Sequence, residues 1–252
     1  MNNSYQRDQN EEIENLRNLI RNFGNKDLKA EEAIKTLYAR YEKLEQQRGS
    51  IFQEQQQSAN EYFRLCIQIH LFLYKDILGN SGNFRAIQDP GEGDVYFGGI
   101  NCKTMRDKFS GTKPEFIEIE LKESFNILFD NQYQPAENSI RFYAEFVAIH
   151  PFYDANGRIG RYITDAFLQF HNCYVDWNSL NLRHGKFLRK LNFCHSVREK
   201  HKIFKSCVNP NEDCSRENAR WEKIREKYIS YLYSFWSQYV KSIDQLEAND
   251  QT

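Results

Sequence analysis

Apolar side chains recur at three- and four-residue intervals along most of this chain, the period of a helix with one buried face. Ile13, Leu16, Ile20 and Phe23 predict a first helix over about residues 11 to 23, stopped by Gly24. Leu28, Ile34, Leu37, Tyr38, Tyr41 and Leu44 give a second, from about Asp27 to Gln47, which breaks at Gly49. In a third, Ser58 and Glu61 have capping-box spacing, and Leu65, Ile69, Phe72, Leu73, Ile77 and Leu78 form a broad buried face that ends at Gly79. Leu121, Phe125, Leu128 and Phe129 mark a fourth. After Pro135, two core helices follow in close succession, one through Phe142, Phe146 and Ile149, the other through Ile159, Ile163, Ala166, Phe167 and Phe170. Two further helical stretches, Leu180 to Phe204 and Ala219 to Tyr239, flank a polar turn at residues 209–213, and the second buries Trp221, Ile224, Tyr228, Leu232 and Phe235.

One segment breaks the helical period convincingly. Val95-Tyr96-Phe97, Gly98-Gly99 and Ile100-Asn101-Cys102 predict a short hairpin with its turn at the glycines. A lone hairpin is marginal in water, so it must lie on the helical body with one edge open to another extended chain. The glutamine-rich stretch 50–57 divides an amino-terminal helical arm (1–57) from the main domain (58–205), and a carboxy-terminal extension (206–252) follows.

Composition narrows the possible functions. The 252 residues carry 34 basic and 35 acidic side chains, a net charge of −1, so no bulk attraction to nucleic acid or anionic membrane is expected. The polar start MNNSYQRDQNEE does not read as a secretory leader, and no apolar run approaches a spanning helix, so a soluble, cytoplasmic protein is expected. Cys66, Cys102, Cys173, Cys194, Cys207 and Cys214 lack paired spacing and suggest reduced thiols. Cys194, His195, His201, Cys207 and Cys214 are too irregularly spaced for a zinc site.

The chemistry concentrates in residues 150–161, His-Pro-Phe-Tyr-Asp-Ala-Asn-Gly-Arg-Ile-Gly-Arg, between the two core helices. A helix entered at Asn156-Gly157 presents unpaired N–H groups and a positive dipole end, a cradle for phosphate oxygens. Arg158 and Arg161, three apart, can fork onto adjacent phosphates, which suggests a polyphosphate. Asp154 would repel such a ligand unless a cation intervened, and magnesium, held by one carboxylate and substrate phosphates, removes the conflict. His150 can accept a proton from a hydroxyl near neutral pH, and Phe152 is expected to anchor the loop in the core. Each residue alone has a structural use: His150 as a helix-end cation, Asp154 as a cap, Asn156-Gly157 as a turn. Their occurrence together in this order favours chemistry.

At these residues the chain resembles the Fic family, whose signature HxFx[DE][GA]N[GK]RxxR is met at every specified position by HPFYDANGRIGR. The likeness extends over about residues 58–205, through Ile69-His70-Leu71-Phe72, Gly82-Asn83-Phe84-Arg85 and the hairpin. The resemblance implies an all-α Fic-fold helical bundle with one short β-hairpin flap. It also implies transfer of AMP from ATP to a Ser, Thr or Tyr hydroxyl of a target protein. On that reading His150 is the base, Asp154 holds Mg2+, Ala155, Asn156 and Gly157 cradle phosphate, and Arg158 and Arg161 hold the departing phosphates. The target would add as a strand to the flap at Val95, Tyr96, Phe97 and Gly98. Ala155 stands where the family more often has glycine, and its methyl narrows the cradle.

Other readings stay open at this point: transfer of UMP, phosphocholine or phosphate, removal of AMP, or a non-catalytic helical scaffold. Many relatives are restrained by an [ST]xxxE[GN] helix. Only Ser50 to Gln55 places a glutamate, Glu54, at that spacing, and Gln55 departs from the pattern. Restraint by a small antitoxin-like partner, a homo-oligomer, and delivery of the protein into another cell are compatible with the chain.

Overall fold

The computed structural model describes residues 9–24, 28–46, 58–98, 108–207 and 214–244, and the predicted helices recur there with shifted ends. In chain order these are α1 (Gln9–Phe23), α2 (Ala30–Gln46), α3 (Ala59–Tyr74), β1 (Tyr96–Gly98), β2 (Lys108–Ser110), α4 (Pro114–Ile127) and α5 (Pro135–Ile149). There follow α6 (Asn156–Phe170), β3 (Cys173–Val175), α7 (Trp177–Asn181), α8 (His184–Cys207), α9 (Ser215–Trp236) and β4 (Val240–Ser242). The fold is all-α, with two short antiparallel strand pairs among the described residues. None of the described helices is long and apolar enough to cross a membrane.

Local signals account for most helix ends. Ser58 and Glu61 form the expected reciprocal capping box at the start of α3. That helix stops at Tyr74, short of Leu78, because Lys75 leaves the helical region at ψ 133° and Asp76 then turns left-handed at φ 66°. Ile77 and Leu78 stay buried beyond the turn, and Gly79 donates to the Phe23 carbonyl at 2.6 Å, joining the ends of α3 and α1. Helix α4 begins earlier than expected, at Pro114, whose fixed φ suits a first helical position. Phe116 and Ile119 on that first stretch are exposed while Ile117 is buried, so the apolar period there does not mark the inner face. Phe170 and Tyr38, expected inside, are 60% and 40% exposed, each at the margin of its helix's buried stripe.

The flap departs from its predicted register. Tyr96, Phe97 and Gly98 pair with Ser110, Phe109 and Lys108, so the second strand is 108–110 and Gly98 lies in a strand instead of a two-residue turn. Residues 99–107, including Ile100 to Cys102, lie outside the described residues. The observed register sets Phe97 opposite Phe109 with ring centroids 5.8 Å apart, both facing inward from alternating strands. A second pair, β3 with β4, was not predicted, because three-residue strands carry too little pattern to stand out from helix ends.

Helix α5 lies at the centre, packed by α4, α6, α8 and α9. Ile140, Phe142, Phe146 and Ile149 are at most 1% exposed, and each contributes roughly 2 kcal/mol of burial. Its polar positions are neutralised in place: Arg141 pairs with Glu137 and Glu226, and Glu145 with Arg198 and Arg225. Gly160 lets α6 approach α5, since a Cβ there would meet Phe146 and Tyr143 at 3.1 and 3.3 Å. Leu16, Ile20, Ala33, Leu37 and Leu44 of α1 and α2 belong to the same core as the central helices.

Candidate active site

The centre of the molecule delivers α5 directly into the loop 150–155. His150 caps α5 in the left-handed region, φ 54° and ψ 57°. Its Nδ1 lies 3.2 Å from the Val147 carbonyl, which can only accept, so Nδ1 carries the hydrogen in that contact. In that tautomer the second ring nitrogen, Nε2, is the one with a lone pair. The Phe97 ring of β1 stacks on the imidazole at 4.7 Å and 5°.

Arg85 fixes this turn, a role that no local pattern announced. Its guanidinium is 2% exposed and donates to the carbonyls of His150 at 2.7 Å, Ile149 at 3.2 Å, Thr112 at 2.7 Å and Gly93. Burial lowers its pKa only to about 10, so the charge persists at neutral pH. One cation thereby satisfies the open carbonyls at the end of α5 and ties them to both roots of the flap. The adjoining backbone helps, with Arg85 N donating to Pro151 O at 3.1 Å and the Tyr153 hydroxyl to Asp89 at 2.9 Å.

Phe152 is fully buried, as expected, and stacks on His70 at 4.0 Å and 5°. His70 Nδ1 accepts from Gly82 N at 2.9 Å, so that imidazole is a packed core group; burial pushes its pKa down to about 3. Asn156 serves the loop more than the ligand. Its buried side chain accepts from Phe152 N at 3.0 Å and donates to Phe152 O at 2.8 Å, clipping residues 152–156 into a ring.

Helix α6 begins after Ala155, which sits at φ 61° and ψ 5°, and no side chain caps it. Asp154 does not take the capping place that its position suggests. Its Oδ1 accepts from Ala155 N at 2.7 Å and its Oδ2 from the Tyr74 hydroxyl at 2.8 Å. Burial and the adjacent Asp154 charge raise the Tyr74 pKa well above the usual phenol range, so this hydroxyl stays a donor. No side chain of the N-cap residue occupies the first turn, where a helix start ordinarily offers N–H groups to an anion. Gly157 adds room, because a Cβ there would have the Tyr143 hydroxyl as its nearest neighbour, at 3.9 Å.

This donor set fits a magnesium ion accompanied by phosphate. Asp154 is a hard carboxylate, half-buried, with each oxygen accepting one hydrogen bond and lone pairs remaining, beside an uncapped positive helix end. The two motif arginines rest on different elements. Arg158 lies 4.3 Å over the ring of Tyr41 on α2, and Arg161 lies 5.6 Å over Trp177 at the start of α7. Trp177 also donates to both oxygens of Asp165 at 2.8 Å, one turn beyond Arg161. Burial brings the Arg161 pKa down to about 10 against the pull of Asp165.

On the flap, Tyr96 is 62% exposed and Phe97 turns inward. Val95 accepts from Gly111 N at 3.0 Å, beyond the last strand pair. Ser110 N and Oγ both donate to Glu199 of α8, at 3.2 and 3.0 Å, so the outer edge of β2 is covered. Among the described residues no strand pairs with the outer edge of β1, Tyr96 to Gly98. Glu54 lies outside the described residues. A separate cavity of about 360 Å³ between α4, α5, α8 and α9 holds Glu120, Glu145, Arg198, Lys202 and Arg225, which pair with one another.

The loop 150–155 thus places an imidazole at the end of α5 and a carboxylate just before the start of α6, whose first turn has no side-chain cap. Residues 64–168 match the family model described as Fic/DOC family. No curated protein matches the chain. Among solved structures, a Fic family protein from Desulfovibrio desulfuricans G20 is 17% identical, with a TM-score of 0.48 over 96% of this chain and 60% of that one. A Fic domain-containing signalling protein from Bacteroides thetaiotaomicron VPI-5482 is 18% identical, with a TM-score of 0.47 over 84% and 70%. BepC from Bartonella tribocorum, solved with bound AMPPNP, is 18% identical, with a TM-score of 0.40 over 58% and 73%. The chain thus spans less than two thirds of the Desulfovibrio protein.

Proposed function

We propose that this protein is an adenylyltransferase, moving AMP from ATP to a Ser, Thr or Tyr hydroxyl of a target protein. The observation that carries this reading is the placement of Asp154: a carboxylate at a positive helix end that does not cap the helix, held by Tyr74 and Ala155. Such a group costs nothing beside a cation and much beside a bare phosphate. Asp154 would hold Mg2+, and the N–H groups of the first turn of α6 would take phosphate oxygens, with Gly157 leaving space for close approach. Arg158 and Arg161 would receive the outer phosphates. Magnesium, when bound, neutralises charge on the phosphates and orients them.

His150 supplies the base. With Nδ1 held by Val147 O, Nε2 takes the proton of the incoming hydroxyl, whose oxygen then attacks the α-phosphorus of ATP as pyrophosphate departs. The target reaches this nitrogen as a strand added to the open edge of β1, which gives register through backbone pairing and little sequence selectivity. Transfer of UMP, phosphocholine or phosphate uses the same cradle, and nucleotide choice separates these outcomes.

The test incubates the purified chain with Mg2+, a protein lysate and, separately, ATP, UTP and CDP-choline labelled in the transferred group. Label from α-labelled ATP is expected on protein, lost by at least about 100-fold in His150→Ala while ATP binding persists. Chelation of Mg2+, or Asp154→Ala, is expected to abolish the same labelling. Transfer that survives in His150→Ala contradicts the base assignment, and label from another donor alone replaces AMP as the transferred group.

A further inference from the structure

Two phenols outside the motif touch two of its charged groups, Asp154 and Arg158. The Tyr74 hydroxyl donates to Asp154 at 2.8 Å, and the Tyr41 ring lies 4.3 Å beneath the Arg158 guanidinium. Tyr74 is the last residue of α3 and is fully buried. Tyr41 stands on α2, one turn from each of the buried Leu37 and Leu44. Arg40 docks α2 at this point, donating to the carbonyls of Leu73 at 2.9 Å and Lys75 at 2.6 Å, on either side of Tyr74. At the end of α1, Phe23 meets the motif's Tyr153 with ring centroids 4.5 Å apart. The amino-terminal arm therefore lies against the motif at two places.

From these contacts we infer that Tyr74 and Tyr41 are positioning residues of the anion site, the first orienting Asp154 and the second orienting Arg158, so that α2 forms one wall of that site. The inference rests on the nucleotide reading above. Its physical content is a division of labour. A carboxylate with one hydrogen bond fewer can rotate about its terminal torsion, which weakens a metal-bridged ligand and leaves a metal-free anion unaffected. A guanidinium stacked on a ring keeps its N–H donors in the plane of the fork, and loss of the ring frees the long side chain to spread over rotamers. That loss weakens phosphate binding with or without metal.

The test measures, on the full chain, dissociation constants by calorimetry for Mg–ATP and for tripolyphosphate in EDTA, with thermal melts beside them. Tyr74→Phe is expected to weaken Mg–ATP roughly five- to tenfold and leave tripolyphosphate unchanged. Tyr41→Leu is expected to weaken both ligands roughly three- to tenfold, and Tyr41→Phe, which keeps the ring, to restore both. Variants that match wild type, or that weaken both ligands equally in step with a lowered Tm, overturn the inference while leaving the proposed function standing. A wild type that binds neither ligand overturns the proposed function and this inference with it.

Discussion

Arg85 shows how much a single residue can hold. Four carbonyls from three separate segments converge on one buried guanidinium, and two of them belong to the turn that aims His150. Lysine offers three donors from one point and cannot reproduce the planar fork. Arg85→Lys is expected to cost about 2–4 kcal/mol, read from the urea midpoint, because one ammonium cannot serve the His150, Thr112 and Gly93 carbonyls together. A change below about 0.5 kcal/mol would contradict the anchoring role. The motif itself was legible in the sequence down to His150, Asp154 and Phe152. Asn156 was legible as a motif member but not as a clip, since its partners are the backbone atoms of Phe152, visible only once the loop closes. Arg85, Tyr74 and Tyr41 sit 65, 80 and 117 positions from the motif residues that they touch, and no local spacing links them.

Between elements, charge does what apolar packing cannot on the polar side of α5. Glu145 lies between Arg198 of α8 at 3.0 Å and Arg225 of α9 at 2.8 Å. Burial alone would raise its pKa, but the two guanidiniums, Arg225 foremost, hold it down at about 2. Glu145→Gln keeps the shape and removes the charge, leaving Arg198 to its pair with Glu120 and Arg225 to the more distant Glu222. A loss of about 1–3 kcal/mol is expected from chemical denaturation, and the loss narrows in high salt. Unchanged stability would mean that solvent already screens the trio. The helices joined here were predicted from their periods, yet their partners were not. Amphipathic spacing identifies which face is buried and carries no information about which helix covers it.

For the whole molecule, two core histidines set a dependence on acidity. Burial pushes His70 down to about 3, and burial with Arg198 pushes His195 down to about 4, Glu145 opposing. In the unfolded chain both protonate near 6.5. Below that pH the unfolded state binds protons that the folded state refuses, so stability is full above about 6.5 and declines as pH falls toward 4. The Tm is expected to drop steadily between pH 6.5 and 4.5, above the range where Glu145 gains its proton. His70→Gln, which can still accept from Gly82 N, is expected to lessen the slope. A Tm that is level across this window would contradict the buried, neutral state of these rings.

The sequence by itself determined the all-α class, the approximate helix spans and the order of chemical groups from His150 to Arg161. Helical period, caps and a contiguous loop are short-range properties, decided within a few turns of chain. Only the tertiary structure decided the flap register, where Phe97 meets Phe109 twelve positions on, and the β3–β4 pairing of segments some 65 residues apart. It also sent Arg158 to Tyr41 and Arg161 to Trp177, although three-residue spacing on α6 suggested that they would act side by side. Long, flexible cationic side chains settle on whatever surface the fold brings within reach. That surface is made by α2 and α7, which lie outside the motif.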